Sequence, residues 1–258
     1  MSDPASTPKV TGGMGGIGQG IVIALTQRDF DVVVGDQTID PAIAERVTNN
    51  AAPGARLSFS NDLTDPGDLP RFADAIFTAF FGHIDCLVNN AGLPAKSQGH
   101  LFDVSAESYD LDFAVNASGA FFLAQAVCKK MLAAEGYFPE SARSVVFISS
   151  SNAVIAAPER GGVCDVQSDG RQAAKLFAIR LAPNGIAAYE VPAQSYTPMT
   201  DVAQSRFDML LVEGFTLSTA GAGPRMSDAR SRPMAAGELH FTTGTAIQVD
   251  GGMHIHQY

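Results

Sequence analysis

Long apolar runs are missing from this chain, and so is any cluster of lysine and arginine. A membrane-spanning helix takes roughly 20 consecutive apolar residues, and no run among the 258 approaches that. The opening "MSDPASTPKV" lacks the charged-then-apolar pattern of a secretory signal, so the expectation is a cytoplasmic protein without membrane contact. Lys and Arg number 17 against 27 Asp and Glu, for a formal charge of −10. That balance repels a phosphate backbone and argues against a nucleic-acid partner. Cysteine is scarce: Cys86, Cys128 and Cys164 stand far apart and in no metal-ligand spacing. A disulfide framework or zinc site is therefore not expected, and buried free thiols are. His254 and His256 could chelate a metal but read as a solvated tail or a subunit contact, so no metal is expected. Internal repeats and low-complexity tracts are also absent.

What is present is the make-up of an ordinary globular protein, with 46% hydrophobic and 17% charged residues. The length fits one domain over 1–258 better than two small ones. Short apolar runs, "FDVVVGD" (30–36), "ARLSFSNDL" (55–63), "HIDCLVNNAG" (83–92), "RSVVFISSS" (143–151), "GIAAYEV" (185–191) and "TAIQVDGG" (245–252), alternate with segments of helical period such as 66–81, 105–135 and 171–182. Strands separated by 10 to 30 helical residues need crossover connections, which make the sheet parallel and cover both its faces. The expected fold is α/β: a single doubly wound parallel sheet of Rossmann type with helices on both faces.

Two regions stand apart. The first strand is only "TPKV", with Pro8 and Lys9 inside it, and should be short or distorted, because proline cannot donate to a central ladder and lysine resists burial. The segment 192–236, rich in Ser, Thr, Gly, Pro and Ala, reads as a long loop over the carboxyl edge of the sheet, where substrates commonly bind.

"TGGMGGIG" (11–18) follows that first strand and opens a helix near Ile17. Glycines permit the tight turn and let backbone N–H groups approach a pyrophosphate at the helix N-terminus, where the dipole favours anions. The spacing fits a dinucleotide fingerprint through Gly13, Gly15 and Gly18, and a wider version through Gly12, Gly16 and Gly18. About 20 positions on, Asp36 ends the second strand, where a carboxylate can accept hydrogen bonds from the adenosine ribose. The same charge repels a 2′-phosphate, and neither Met14 nor Gln19 offsets it. NAD(H) is therefore favoured over NADP(H).

Taken together, these motifs resemble the short-chain dehydrogenases/reductases nearly from end to end. "TGGMGGIG" is similar to that family's T-G-x-x-x-G-x-G, "NDL" with Asp62 and Leu63 to its adenine contact, and Asn90, Ala91 and Gly92 to its N-N-A-G. Asn116 in "FAVNASGAFF" resembles its structural and proton-relay asparagine, and Ser150 in "ISSSNAV" its catalytic serine. Within the family the likeness is strongest to 3-oxoacyl-(acyl-carrier-protein) reductase-like members. The resemblance implies a hydride moved between nicotinamide and a small carbonyl or alcohol substrate. It also implies a homotetramer or homodimer built through the long helices, here 105–135 and 168–182.

The family places a tyrosine about 13 residues after the serine and a lysine four further on, and this chain has Val163 and Gln167 there. A phenol with pKa near 10 works as a proton donor and base at neutral pH only beside a cation. Val has no proton to give and Gln no charge, though Gln167 could still hydrogen-bond a ribose. Asp169 and Gly170 are also poor residues for the interior of the helix expected there. After the strand at 185–191 the family has Pro-Gly and a cofactor-contacting threonine, for which Pro192-Ala193 and Thr197 are the best matches. Tyr196 lies in that loop, and Tyr189 reads as core. Three accounts fit: an oxidoreductase whose natural chain carries tyrosine and lysine at 163 and 167; a dinucleotide-binding sensor or scaffold subunit that does not catalyse; and a reductase with another acid, such as a water chain anchored by Asn116 and Ser150.

Overall fold

A computed structural model of the protein describes residues 8–27, 30–50, 62–79, 82–93, 101–134, 143–153, 161–193 and 233–255, with the backbone alone over 161–168. Five strands, β1 (Pro8–Thr11), β2 (Val33–Gly35), β3 (Cys86–Asn89), β4 (Arg143–Ser150) and β5 (Ile186–Ala193), form one sheet in the order β2-β1-β3-β4-β5. Every pairing is parallel. The chain winds outward from β1 to β2, then crosses back to β3 on the other side of β1. The carboxyl ends of β1 and β3 therefore flank the switch point where doubly wound sheets bind ligands.

Alternation along the strands divides the core in two. Val10, Val34, Val88, Val146, Tyr189 and Val191 pack with Ile21, Val22 and Leu25 of α1 (Gly16–Thr26) and with Val47 of α2 (Pro41–Asn50). Val33, Leu87, Val145, Phe147 and Ala188 pack on the opposite face. They meet α3 (Leu69–Ala79), α5 (Ala120–Ala133) and α6 (Gly161–Leu181) through Phe77, Leu123 and Ala178. Both faces are thus covered, as parallel sheets require.

Several elements depart from the sequence reading. The expected strand at 245–252 is reduced to two isolated bridges, Glu190 to Ala246 and Ala193 to Val249. Glycines with φ of +79° at Gly244 and +66° at Gly251 bound that segment and cut its extended run short. The strand expected at 55–63 lies outside the described residues except for Asp62 and Leu63, which form a turn. α2 was not foreseen. The helix expected at 105–135 divides into α4 (Ala106–Phe113), a π-helical turn (Ala114–Gly119) and α5, with the Ser105 hydroxyl capping α4 by accepting from Ser108 N–H at 3.2 Å. By length and composition Ala106–Ala133 could cross a membrane, but half of its most apolar window is buried inside the structure, as befits a core helix. α6 runs unbroken through Asp169 and Gly170: packing against β4 and β5 outweighs a local propensity cost of about 1 kcal/mol.

β1 is short, as its sequence implies, with Pro8 at the first strand position, where a missing N–H is tolerated. Lys9 is fully buried, its Nζ lying 3.5 Å from the centroid of the Phe72 ring without a hydrogen-bond partner. Burial holds its pKa well below the usual 10.5. A ring face returns about 0.5–2 kcal/mol to a cation, less than the several kcal/mol lost on burying an unpaired ion, so the amine folds neutral. The unfolded chain binds a proton that the folded chain excludes; stability therefore rises with pH from the lowered folded pKa up to 10.5. Lys9→Met is expected to stabilise the protein by about 1–4 kcal/mol at pH 7, with the gain shrinking as pH approaches 10. Thermal melts of both proteins across that range test this, and equal midpoints at pH 7 would reject it.

Candidate active site

The turn after β1 is built by backbone packing. Gly12 has φ of +61°, and its N–H donates to Gly35 O at 2.7 Å. The Thr11 hydroxyl accepts from the N–H groups of Asn90 (2.9 Å) and Ala91 (3.0 Å), while the Asn90 side-chain amide donates to Thr11 O (3.0 Å) and Gly12 O (3.1 Å). The ends of β1 and β3 are thereby locked together at the switch point. A Cβ on Gly12 would lie 2.7 Å from Ala91 Cα, and one on Gly18 only 2.0 Å from Gly12 O. α1 begins at Gly16, and its N-cap residue Gly15 makes no side-chain capping bond. The first-turn N–H groups, those of Gly16, Ile17 and Gly18 among them, are left to an anion.

The Asp36 carboxylate, at the end of β2, accepts from Met14 N–H at 3.1 Å, which fixes it against the glycine turn. The structure adds a residue the sequence reading missed: Arg46 on α2 donates to Gln19 Oε1, and Gln19 Nε2 donates to Met14 O at 2.5 Å. No spacing rule links a helix residue ten positions past Asp36 to the glycine turn, so only the fold reveals this contact. Asp62 is exposed and accepts from Thr64 N–H (2.9 Å) and Thr64 Oγ1 (2.8 Å), which hold its carboxyl below the usual range. Leu63 is buried, and its carbonyl sits so close to the π-turn that a Cβ on Gly119 would be 2.6 Å from it.

Asn116 lies within that π-turn, a rare geometry concentrated at functional sites. Its side chain accepts from Leu93 N–H at 2.7 Å and donates to Leu93 O at 3.2 Å, and it would stand 3.2 Å from a Cβ on Gly92. The segment after β3 is thus clasped on one side by the glycine turn and on the other by Asn116. Ser150, half-buried, ends β4 opposite Ala193, and Pro192 pairs with Ser149. α6 packs against β4, β5, the turn Ser151–Ala153 and the π-turn, which brings the elements bearing Ser150, Asn116 and positions 163 and 167 together. The side chains of Val163, Gln167 and Cys164 lie outside the described residues, as do Tyr196, Thr197 and His256; of the expected loop at 192–236, only 192–193 and 233–236 are described.

Tyr189 is core, as expected: its hydroxyl donates to Leu239 O at 2.6 Å, and burial pushes its pKa up to about 12. Cys86 and Cys128 are buried free thiols, each also pushed up to about 12 by burial, and so are unreactive at neutral pH. His254, expected in a solvated tail or a subunit contact, is part-exposed and tied back to its own chain. Its Nδ1 lies 2.8 Å from Oδ2 of the buried Asp250, because the positive-φ pair Gly251-Gly252 folds the chain back. Among the described residues no group of three or more His, Cys, Asp or Glu could hold a metal.

The family model described as enoyl-(acyl carrier protein) reductase matches residues 12–254. The chain superposes on the 3-oxoacyl-[acyl-carrier protein] reductase of Brucella melitensis, solved in complex with NAD, with a TM-score of 0.93 and 34% identity over 100% of both chains. It is 28% identical to L-rhamnose 1-dehydrogenase (NAD(P)(+)) of a Sphingomonas species over 96% of each protein. Against D-threitol dehydrogenase of Mycolicibacterium smegmatis it is 29% identical over 69% of this chain and 65% of that protein.

Proposed function

The chain belongs to the short-chain dehydrogenase/reductase family of oxidoreductases, and from that premise we propose that it binds NAD(H) at the switch point and reduces or oxidises a small 3-oxoacyl-like carbonyl or alcohol. The observation that carries this reading is the Asp36 carboxylate tethered to the glycine turn through Met14 N–H. One carboxylate oxygen is engaged there, which leaves the other for a ribose hydroxyl and sets a negative charge against a 2′-phosphate. The first-turn N–H groups at Gly16, Ile17 and Gly18 take the pyrophosphate, with Gly12 opening the turn. Asp62 and Leu63 border the adenine, Asn90, Ala91 and Gly92 line the crevice, and Gln167, Pro192 and Thr197 serve the nicotinamide end. The dinucleotide, when bound, supplies or accepts the hydride. Ser150 orients the substrate oxygen, and Asn116 holds the strand end that faces it.

Fluorescence titration tests the cofactor assignment. The protein should bind NADH more tightly than NADPH, and Asp36→Ala should weaken NADH about tenfold, the worth of one lost charge-assisted hydrogen bond, while narrowing the preference. Equal affinities in the unaltered protein would overturn it. A second reading, a non-catalytic sensor or scaffold subunit, draws on Val163 and Gln167 in α6. NADH binding without turnover of ketones favours that reading; turnover that Ser150→Ala abolishes removes it. A homotetramer or homodimer suits the exposed apolar residues Leu176 and Ile179 on α6 and Phe113 and Phe122 on α4 and α5, and light scattering would report it.

A further inference from the structure

Glu190 is 1% exposed, yet it carries a carboxylate halfway along β5, the last strand of the parallel sheet. Its two oxygens are both engaged: Oε1 accepts from Ser149 Oγ at 2.7 Å and Oε2 from Arg171 Nε at 3.0 Å. A buried charge persists only when paired and hydrogen-bonded, so the Glu190 carboxylate depends on both partners. The three come from different elements: Ser149 from β4, Glu190 from β5 and Arg171 from α6. Each outer member also stands next to a site position. Ser149 immediately precedes Ser150, and Arg171 lies one helical turn after position 167.

Helical spacing carries this further. Ala174, Ala178 and Leu181 are buried residues of α6, and steps of three and four toward the N-terminus lead from them through 171 to 167 and 163, which places these positions along one side of the helix. The helix lies on β4 at this level, where a Cβ on Gly170 would make ordinary contact with Ser149 Cβ at 3.6 Å. An apolar contact lets a helix slide along its groove. A hydrogen-bonded charge on a sheet residue fixes its register, since a shift of an ångström strands a buried carboxylate.

We propose that Arg171, Glu190 and Ser149 are positioning residues: a clamp built around one buried carboxylate that sets the register of α6 against β4 and so holds positions 163 and 167 at a fixed distance from Ser150, at the nicotinamide end of the site. This rests on the cofactor reading above and adds a division of labour to it. The glycine turn with Asp36 grips the adenosine and pyrophosphate half, and the clamp governs only the nicotinamide half.

Comparing two ligands separates those halves, because ADP carries the adenosine and pyrophosphate of NADH but neither the nicotinamide nor its ribose. In calorimetric titrations Glu190→Gln and Arg171→Met should each weaken NADH about tenfold while leaving ADP within twofold, and Arg171→Lys, which keeps the ion pair, should stay within about threefold for both. Ser149→Ala, which removes one hydrogen bond but no charge, should fall between. Thermal melts run alongside show whether each variant is folded; Arg171→Lys and Ser149→Ala are the mild variants that keep the test open where Glu190→Gln unfolds. Equal loss of both ligands, or loss of neither, in folded variants overturns the clamp and leaves a merely structural ion pair. Failure of the unaltered protein to bind NADH or ADP overturns the cofactor reading, and the clamp with it.

Discussion

Replacing Val163 by tyrosine and Gln167 by lysine in the same chain is expected to raise the rate of NADH-dependent ketone reduction by about 10²- to 10⁴-fold, the usual worth of a positioned general acid. The two positions lie four apart in the backbone helix of α6, the spacing at which residues on a helix are neighbours. There the ammonium would stabilise the phenolate and bring a phenol of pKa near 10 toward neutrality. Tyrosine alone should gain far less, because without a cation its proton remains too tightly held. The measurement is initial rate against pH for the unaltered protein, the two single variants and the pair. A non-additive gain, with the acid limb of the profile shifting only in the double variant, is the expected pattern. If the pair binds NADH normally but turns over no faster, the site lacks more than these two groups, and the sensor or scaffold reading gains.

Gly18→Ala carries the second large effect. The added methyl would sit 2.0 Å from Gly12 O and 2.7 Å from Asn90 Nδ2, against backbone and against the amide that joins β1 to β3. Neither neighbour is the free end of a flexible side chain, so relief requires moving the glycine turn itself. We expect a loss of about 4 kcal/mol or more, at the extreme of single substitutions, and NADH binding weakened beyond 100-fold. Gly15→Ala is the matched control: its Cβ would lie 3.3 Å from Gly12 O, a contact that a few tenths of an ångström relieves. Denaturant melts and NADH titrations of the pair decide this, and a Gly18→Ala protein as stable as Gly15→Ala would contradict the packing described.

The sequence carried the parallel sheet and the glycine turn clearly, because both depend on local signals: short apolar runs separated by helical stretches and a glycine cluster between a strand and a helix. It carried Asn116 only through resemblance, since nothing in "FAVNASGAFF" announces a π-turn. Arg46 and the Glu190 clamp were illegible, because each is defined by contacts between residues 19 to 41 positions apart, a range that periodicity does not sample. Lys9 was legible as a problem and not as a solution: its lowered pKa follows from the closed core around it, which outweighs what the Phe72 ring face returns to a cation. The outer strand at 245–252 was overread, because apolar alternation registers a strand without weighing the glycines that end it.

Among the described residues, β4 and β5 pair over eight positions, whereas β1 pairs with β2 over three and with β3 over three. Opening free energy follows the extent of pairing and packing, so the sheet is graded: β4, β5 and α6 form its stiff spine, and the strands around the glycine turn are the flap that loosens first. A dinucleotide laid across that flap works as a splint, gaining most of its stabilising effect where the protein has least of its own. Breathing of the molecule and the filling of its crevice are then two views of one equilibrium, with the ligand taking the part that longer strands play elsewhere in the sheet.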